Sequence, residues 1–262
     1  MTFKHIISRD NSVFKQLKKL AENTRERRQA GKTLLDGVHL IEAFIKSFGL
    51  PELLIIPEGQ SSTEATSLIQ ALADGDEIPT VMFTTLMFAE LTPVASPTGV
   101  LALVNIPEIV MPESPNFVLM LEGIQDPGNL GAMLRSAAAA GIEAVYLSTG
   151  SADVWSPKAL RGGQGAQFSL PMMERADLFE LATSFKGVTL ATTMHGESLF
   201  DQDLTGAIAF IVGNEGNGLS PELLCTAHHR VAIPMSSKIE SLNATAAATV
   251  CFFERVRQMA KK

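Results

Sequence analysis

The stretch LEGIQDPGNLGAMLRSAAAAG, residues 121–141, runs from the end of an apolar strand through a polar, glycine-bearing loop into a helix. Two later stretches share this design, FIVGNEGNGLS at 210–220 and VAIPMSSKIESLNATAAA at 231–248. In an open α/β sheet, ligands bind in the crevice beyond the carboxyl ends of the strands. Three such loops therefore predict an α/β fold with one composite pocket.

Working outward, strands are predicted at 117–121, 144–148, 188–193, 207–212 and 230–233. Helices fall at 130–140, 177–185 and 221–227, with a closing helix at about 243–259. Upstream, IPEIVMPESPN at 106–116 carries three prolines and reads as a linker, since proline continues neither a helix nor a central strand. The predicted organisation is a domain at 1–106, a linker at 107–115 and a second domain at 116–262. In the first domain, helical periodicity at 13–28, 38–47, 64–73 and 86–91 alternates with strand signals at 33–35, 52–56, 80–83 and 99–104. This pattern predicts a small α/β sandwich.

With 46% hydrophobic and 19% charged residues, the 262-residue chain has the composition of a folded protein. The start lacks the apolar core of a secretory signal and no apolar run approaches membrane-spanning length, so a cytoplasmic location is expected. Cys225 and Cys251 lack metal-ligand spacing and are expected to be buried, reduced thiols, and the paired His228 and His229 lack convincing partners; no metal is expected. Residues 1–35 carry nine cations against three acids, leaving −13 for the remainder of a chain whose net charge is −7. That basic start is either a solvated helix face or a polyanion contact.

In the first loop, Asp126 or Asn129 suits the helix N-cap. Arg135 is the anomaly on an otherwise small and apolar helix, either a structural or surface side chain or a guanidinium that faces a phosphate or a reacting hydroxyl. Gly213, Gly216 and Gly218 enclose Asn214 and Glu215; they form a tight turn or allow close approach of a ligand. Glu215 is a candidate partner for Arg135 or for a ligand hydroxyl. Ile233 and Met235 stand at one strand end and Thr193 at another. Ser241, Leu242 and Asn243 open the last helix, where Ser241 or Asn243 is a cap or a ligand contact. His195 is a loop residue or a pocket-rim group.

In order and spacing, DPGNLGAMLRSAAAAG, IVGNEGNGLS and IPMSSKIESLNATAAA resemble the three signature motifs of the SpoU-type RNA ribose 2′-O-methyltransferases of the SPOUT superfamily. SPKALRGGQGAQFSLP at 156–171 is similar to an accessory segment of that family. ISRDNSVFKQLKKL and LLDGVHLIEAF resemble its substrate-binding domain, which is like a small ribosomal protein. The resemblance implies a trefoil-knotted, mostly parallel α/β domain, S-adenosylmethionine as cofactor, and a homodimer. It also implies catalytic roles for Arg135, Asn129, Glu215, Ser241 and Asn243. Cofactor contacts are implied at Gly213, Ile233 and Leu242, with Thr193 and Met235 beside them. The chain departs from the family pattern at Ala244 and Thr245, at Ser237 and Gly163, and conservatively at Asp36.

The expected activity is methylation of a ribose 2′-hydroxyl, with ribosomal RNA favoured over transfer RNA. Arg9, Lys15, Lys18, Arg27, Arg28 and Arg161 are the expected RNA contacts, and Arg161 is a candidate to supply a charge across a dimer. A non-catalytic RNA-binding or ribosome-assembly factor on the same fold, and an unrelated nucleotide-binding enzyme, are the competing readings.

Overall fold

The computed structural model describes residues 4–59, 61–75, 78–92, 97–236 and 241–260. They form two compact units, 1–108 with 153–168 and 109–152 with 169–262.

The first unit contains β1 (Lys4–Ile6), α1 (Ser12–Glu22), α2 (Thr24–Ala30), β2 (Lys32–Asp36), α3 (Val38–Phe48), β3 (Leu53–Pro57), α4 (Thr63–Gly75), β4 (Thr80–Phe83), α5 (Thr85–Ala89) and β5 (Leu101–Asn105). Its sheet runs β1-β4-β3-β5-β2, with β5 antiparallel to both neighbours and the other pairs parallel. One face packs Phe14, Leu17 and Leu20 of α1 on Phe83 and Met87, with the Phe14 and Phe83 rings edge to face at 5.3 Å. Full burial of side chains of this size contributes about 1.5–3 kcal/mol each.

The single helix expected over 13–28 is two. Asn23 ends α1 in extended backbone and caps α2, its Oδ1 accepting from the N–H groups of Arg25 (2.8 Å) and Glu26 (3.3 Å). The buried residues Phe14, Leu17, Leu20 and Arg27 keep helical spacing across the break, so periodicity alone hides it. Strand β1, whose pattern is only three residues long, is an element that the sequence reading lacked.

The second unit contains β6 (Phe117–Leu121), α6 (Pro127–Ala140) and β7 (Ala144–Leu147) before the chain passes through α7 (Pro157–Gly163) and a 3-10 turn at Ala166–Phe168. It resumes with β8 (Met172–Glu174), α8 (Leu178–Ser184), β9 (Val188–Ser198), a 3-10 turn at Leu199–Asp201, β10 (Ile208–Val212), α9 (Pro221–Thr226), β11 (His229–Ala232) and α10 (Ala244–Met259). Its sheet order is β11-β9-β10-β6-β7-β8, and every pair is parallel. The near-continuous apolar runs of β6 and β10, buried at every position, follow from cover on both faces.

Residues 153–168, placed by the sequence reading within the second domain, group with the first unit, where Leu160 and Phe168 join the core of α3. Met111, inside the expected linker, packs against the core of the second unit. Strand β9 continues past Thr193 to Ser198. Its pairing with β11 jumps from Arg230↔Ala191 to Val231↔Glu197, so residues 192–196 bulge from the ladder.

Candidate functional site

Three loops converge at the carboxyl edge of the parallel sheet in the second unit. The first leaves β6, and Asp126 caps α6 by accepting from the Asn129 N–H at 2.7 Å, with Pro127 in the first turn. The second leaves β10 and closes as a tight turn in which Asn214 and Gly218 exchange backbone hydrogen bonds of 3.0 and 2.9 Å. A Cβ on Gly213 would lie 2.4 Å from the Gly218 carbonyl carbon, so only glycine fits beneath this turn. The third follows β11 and enters α10 at Asn243, whose Oδ1 accepts from the N–H groups of Thr245 (2.9 Å) and Ala246 (3.3 Å).

The small residues of α6 allow close approach of α10. Thr245 Oγ1 donates to the Asn129 carbonyl at 3.1 Å, and Thr249 Oγ1 to Ser136 Oγ at 2.8 Å. Across the loops runs a chain of side-chain amides: Asn243 Nδ2 donates to Asn129 Oδ1 at 3.2 Å, and Asn129 Nδ2 to Glu215 Oε1 at 3.2 Å. Asn214 ties the second loop to the first through Nδ2, which donates to the Gly123 carbonyl at 2.7 Å.

A cavity of about 470 Å³ opens beside this network. Its wall includes all five residues expected at the cofactor, Gly213, Ile233, Leu242, Thr193 and Met235, together with Glu215, Ser241 and His195. Asn129, Asn243 and Arg135 are not in the wall. Arg135 is exposed and has no hydrogen bond or ion pair among the described residues. In place of the candidate Arg135–Glu215 pair, Glu215 accepts from Asn129.

The sequence reading missed two parts of the wall. The bulge at 192–196 brings Met194 and Thr192 to the cavity, where Gly196, whose Cβ would meet the Arg230 carbonyl oxygen at 2.3 Å, was the available signal. Cys251 also lines it; burial pushes its thiol up to about 12, so it stays protonated at neutral pH. Cys225, by contrast, is exposed, which corrects the expectation that both thiols are buried. His228 is taken up by Thr189, and His229 pairs with Glu197 at 3.1 Å. Among the described residues no cluster suits a metal ion.

The expected RNA contacts divide. Arg9, Lys15, Lys18 and Arg28 lie at the surface of the first unit. Arg27 does not: it is 3% exposed and pairs with Asp153 at 2.6 Å while donating to the Leu20 carbonyl, also at 2.6 Å. It is structural, because a guanidinium taken from water needs a full set of acceptors and this one has them. Arg161 sits 3.6 Å from the buried Asp36, whose carboxyl is pushed up by burial against the opposing pull of Thr92 and Arg161. Gly163, a departure from the family pattern, makes room for the buried Gln167: a Cβ there would meet its Oε1 at 2.1 Å. Ser237 lies outside the described residues.

Among the described residues no helix is long and apolar enough to cross a membrane. The family model for SpoU rRNA methylases matches residues 116–253, and that for the MRM3-like substrate binding domain matches 11–102. The chain is 32% identical to the 23S rRNA (guanosine(2553)-2′-O)-methyltransferase RlmP of Bacillus subtilis, over 95% of this chain and 98% of that one. It is 31% identical to the 23S rRNA (uridine(2479)-2′-O)-methyltransferase of Streptomyces viridochromogenes, over 96% and 92%. Among solved structures, an RNA 2′-O ribose methyltransferase superimposes with a TM-score of 0.84 at 30% identity, over 98% of this chain and 99% of that one. The SpoU methyltransferase AviRb of Streptomyces viridochromogenes, in complex with AdoMet, does so at 0.83 and 29%, over 95% and 98%. With both its domains matched and its three motif loops gathered at one sheet edge, the chain belongs to the SpoU rRNA methylase family.

Proposed function

We propose that this protein transfers a methyl group from S-adenosylmethionine to a ribose 2′-hydroxyl of ribosomal RNA, working in the cytoplasm as a homodimer of the knotted family fold. The observation that carries the reading is the side-by-side placement of the cavity and the Asn243–Asn129–Glu215 chain. The cavity falls within the size range of small-molecule and cofactor sites. Its floor at Gly213 is bare main chain with no room for a side chain, which suits a flat heterocycle read by backbone N–H and C=O groups. The residues present thus fit the cofactor, with Gly213, Ile233, Leu242, Thr193 and Met235 holding it. When bound, S-adenosylmethionine supplies an electrophilic methyl group.

The chain's own residues align and stabilise the nucleophile. Asn129, fixed on one side by Asn243 and on the other by Glu215, presents a pre-set amide to the ribose; alignment of this kind removes several kcal/mol of barrier. Ser241 adds a hydroxyl beside Leu242. Arg135, which has no side-chain partner among the described residues, offers its guanidinium to the developing 2′-oxyanion and the adjacent phosphate. It acts as an electrostatic stabiliser because a guanidinium is a strong hydrogen-bond donor and a poor base. The reaction releases one proton to water.

Incubation with methyl-labelled S-adenosylmethionine and unmodified ribosomal and transfer RNA, followed by nucleoside analysis, tests this. Label in a 2′-O-methylnucleoside of ribosomal RNA is expected. Label confined to transfer RNA, or RNA binding with no label, would overturn it.

A further inference from the structure

Outside the methyl-transfer site, one patch of the first unit combines exposed apolar side chains with a cation clamp. Strands β1 and β4 are parallel neighbours with Ile6 beside Phe83, so the segments that follow them emerge together at the carboxyl edge of the sheet. The next large apolar residue on each, Ile7 and Leu86, is 72% exposed. Scattered single exposed apolar residues need no explanation, but two from adjacent strand ends make a patch. Leu86 lies four residues before Glu90, the C-cap of α5, and so on the same helix face. Glu90 in turn accepts from Arg9 Nε and from Lys18 Nζ, each at 2.6 Å, which ties the segment carrying Ile7 to α5.

Two cations share the single Glu90 carboxylate, and they hold its pKa below the ordinary range while Lys18 is raised. A carboxylate gripped by an ammonium and a guanidinium occupies the donor set that a phosphate oxygen takes. We propose that this edge is an RNA-contact surface, in which Ile7 and Leu86 pack on unpaired bases while Arg9 and Lys18 pass from Glu90 to a backbone phosphate. Charge complementarity selects this occupant, since Ile7, Arg9 and Lys18 belong to the +6 stretch at residues 1–35 of an otherwise acidic chain. Unpaired nucleotides are selected because a regular A-form helix hides its base faces. Glu90 then acts as an internal competitor that suppresses indiscriminate phosphate binding. The inference rests on the proposed RNA substrate.

The test is binding of the full-length protein to an unmodified ribosomal RNA transcript across a salt series, with S-adenosylmethionine binding and thermal unfolding as controls for folding. Ile7→Ser with Leu86→Ser is expected to weaken RNA binding by about fivefold at unchanged salt slope, because the contact is apolar. Glu90→Gln is expected to tighten binding by about threefold and steepen the slope. Arg9→Ala with Lys18→Ala should flatten the slope by about one to two. Unchanged RNA binding in the apolar pair, or a change of oligomeric state in its place, would overturn the proposal. Should the wild type bind RNA through these residues yet transfer no methyl group, the proposed activity fails and this surface stands. Methyl transfer with RNA binding indifferent to all three variants means the opposite: the activity stands and this surface fails.

Discussion

Arg27 on α2 and Arg135 on α6 are guanidinium groups with opposite fates. Arg27 is buried and fully engaged, paired with Asp153 and bonded to the carbonyls of Leu20 and Ala21 and to Thr24. Arg135 is exposed and engages none of the described residues. The difference teaches where to look for chemistry. A charge that the fold has satisfied contributes to structure, whereas one that engages none of the described residues is available to a ligand. Both stand in helices; Arg135 is marked by its motif, whereas Arg27 is one cation among several in a basic stretch.

The largest expected effect comes from breaking the satisfied partner. Arg27→Ala leaves Asp153 buried without its cation and should lower unfolding stability by about 3–5 kcal/mol in urea titration. An RNA-binding defect with full stability would instead make Arg27 a ligand contact. On the other side of the comparison, Arg135→Ala should lower kcat by about 100- to 1,000-fold in single-turnover methyl transfer, with unfolding unchanged. A loss of stability there would show that its freedom is only apparent.

Gly213→Ala sharpens the contrast from the cavity side. Its Cβ would enter the backbone at Gly218 and Leu219, and a clash with main chain cannot be relieved by a rotamer. A cost of about 1–3 kcal/mol is expected, read as weakened S-adenosylmethionine binding in calorimetry. Asn243→Ala removes both the α10 cap and the bond to Asn129, and should cost about 1 kcal/mol of stability together with a drop in kcat. The smallest effect is a pH dependence. Cys251 is raised from 9.0 to about 12 in the folded state, so the unfolded chain gives up this proton first. Its contribution is fully present below pH 9 and is lost as pH rises toward 12. Relative to wild type, Cys251→Ala should show a shallower fall in stability across that window in alkaline denaturation.

Much of the second unit was legible because its elements are written locally. Strand β6, the cap at Asp126 and the entry to α10 at Asn243 each follow from a few adjacent residues, and parallel-sheet topology places their loops together. The 192–196 bulge was not legible, because a strand's exit from a ladder depends on its neighbour's register. The break at Asn23 was hidden by a periodicity that both helices satisfy. The three-proline stretch read as a linker includes Met111, whose packing depends on a core built from strands far along the chain.

By itself the sequence determined most of the longer strands and helices, the three polar loops and the family that they mark, since these are set by local propensity and short spacing. Only the tertiary structure decided which cations are available to a substrate. Arg27 and Asp153 lie 126 residues apart in the chain, and Arg9, Lys18 and Glu90 meet across the first unit. An ionic side chain's role is fixed by the acceptors within a few ångströms of it. Those acceptors come from folding, because the free energy of a charge depends on its surroundings in space.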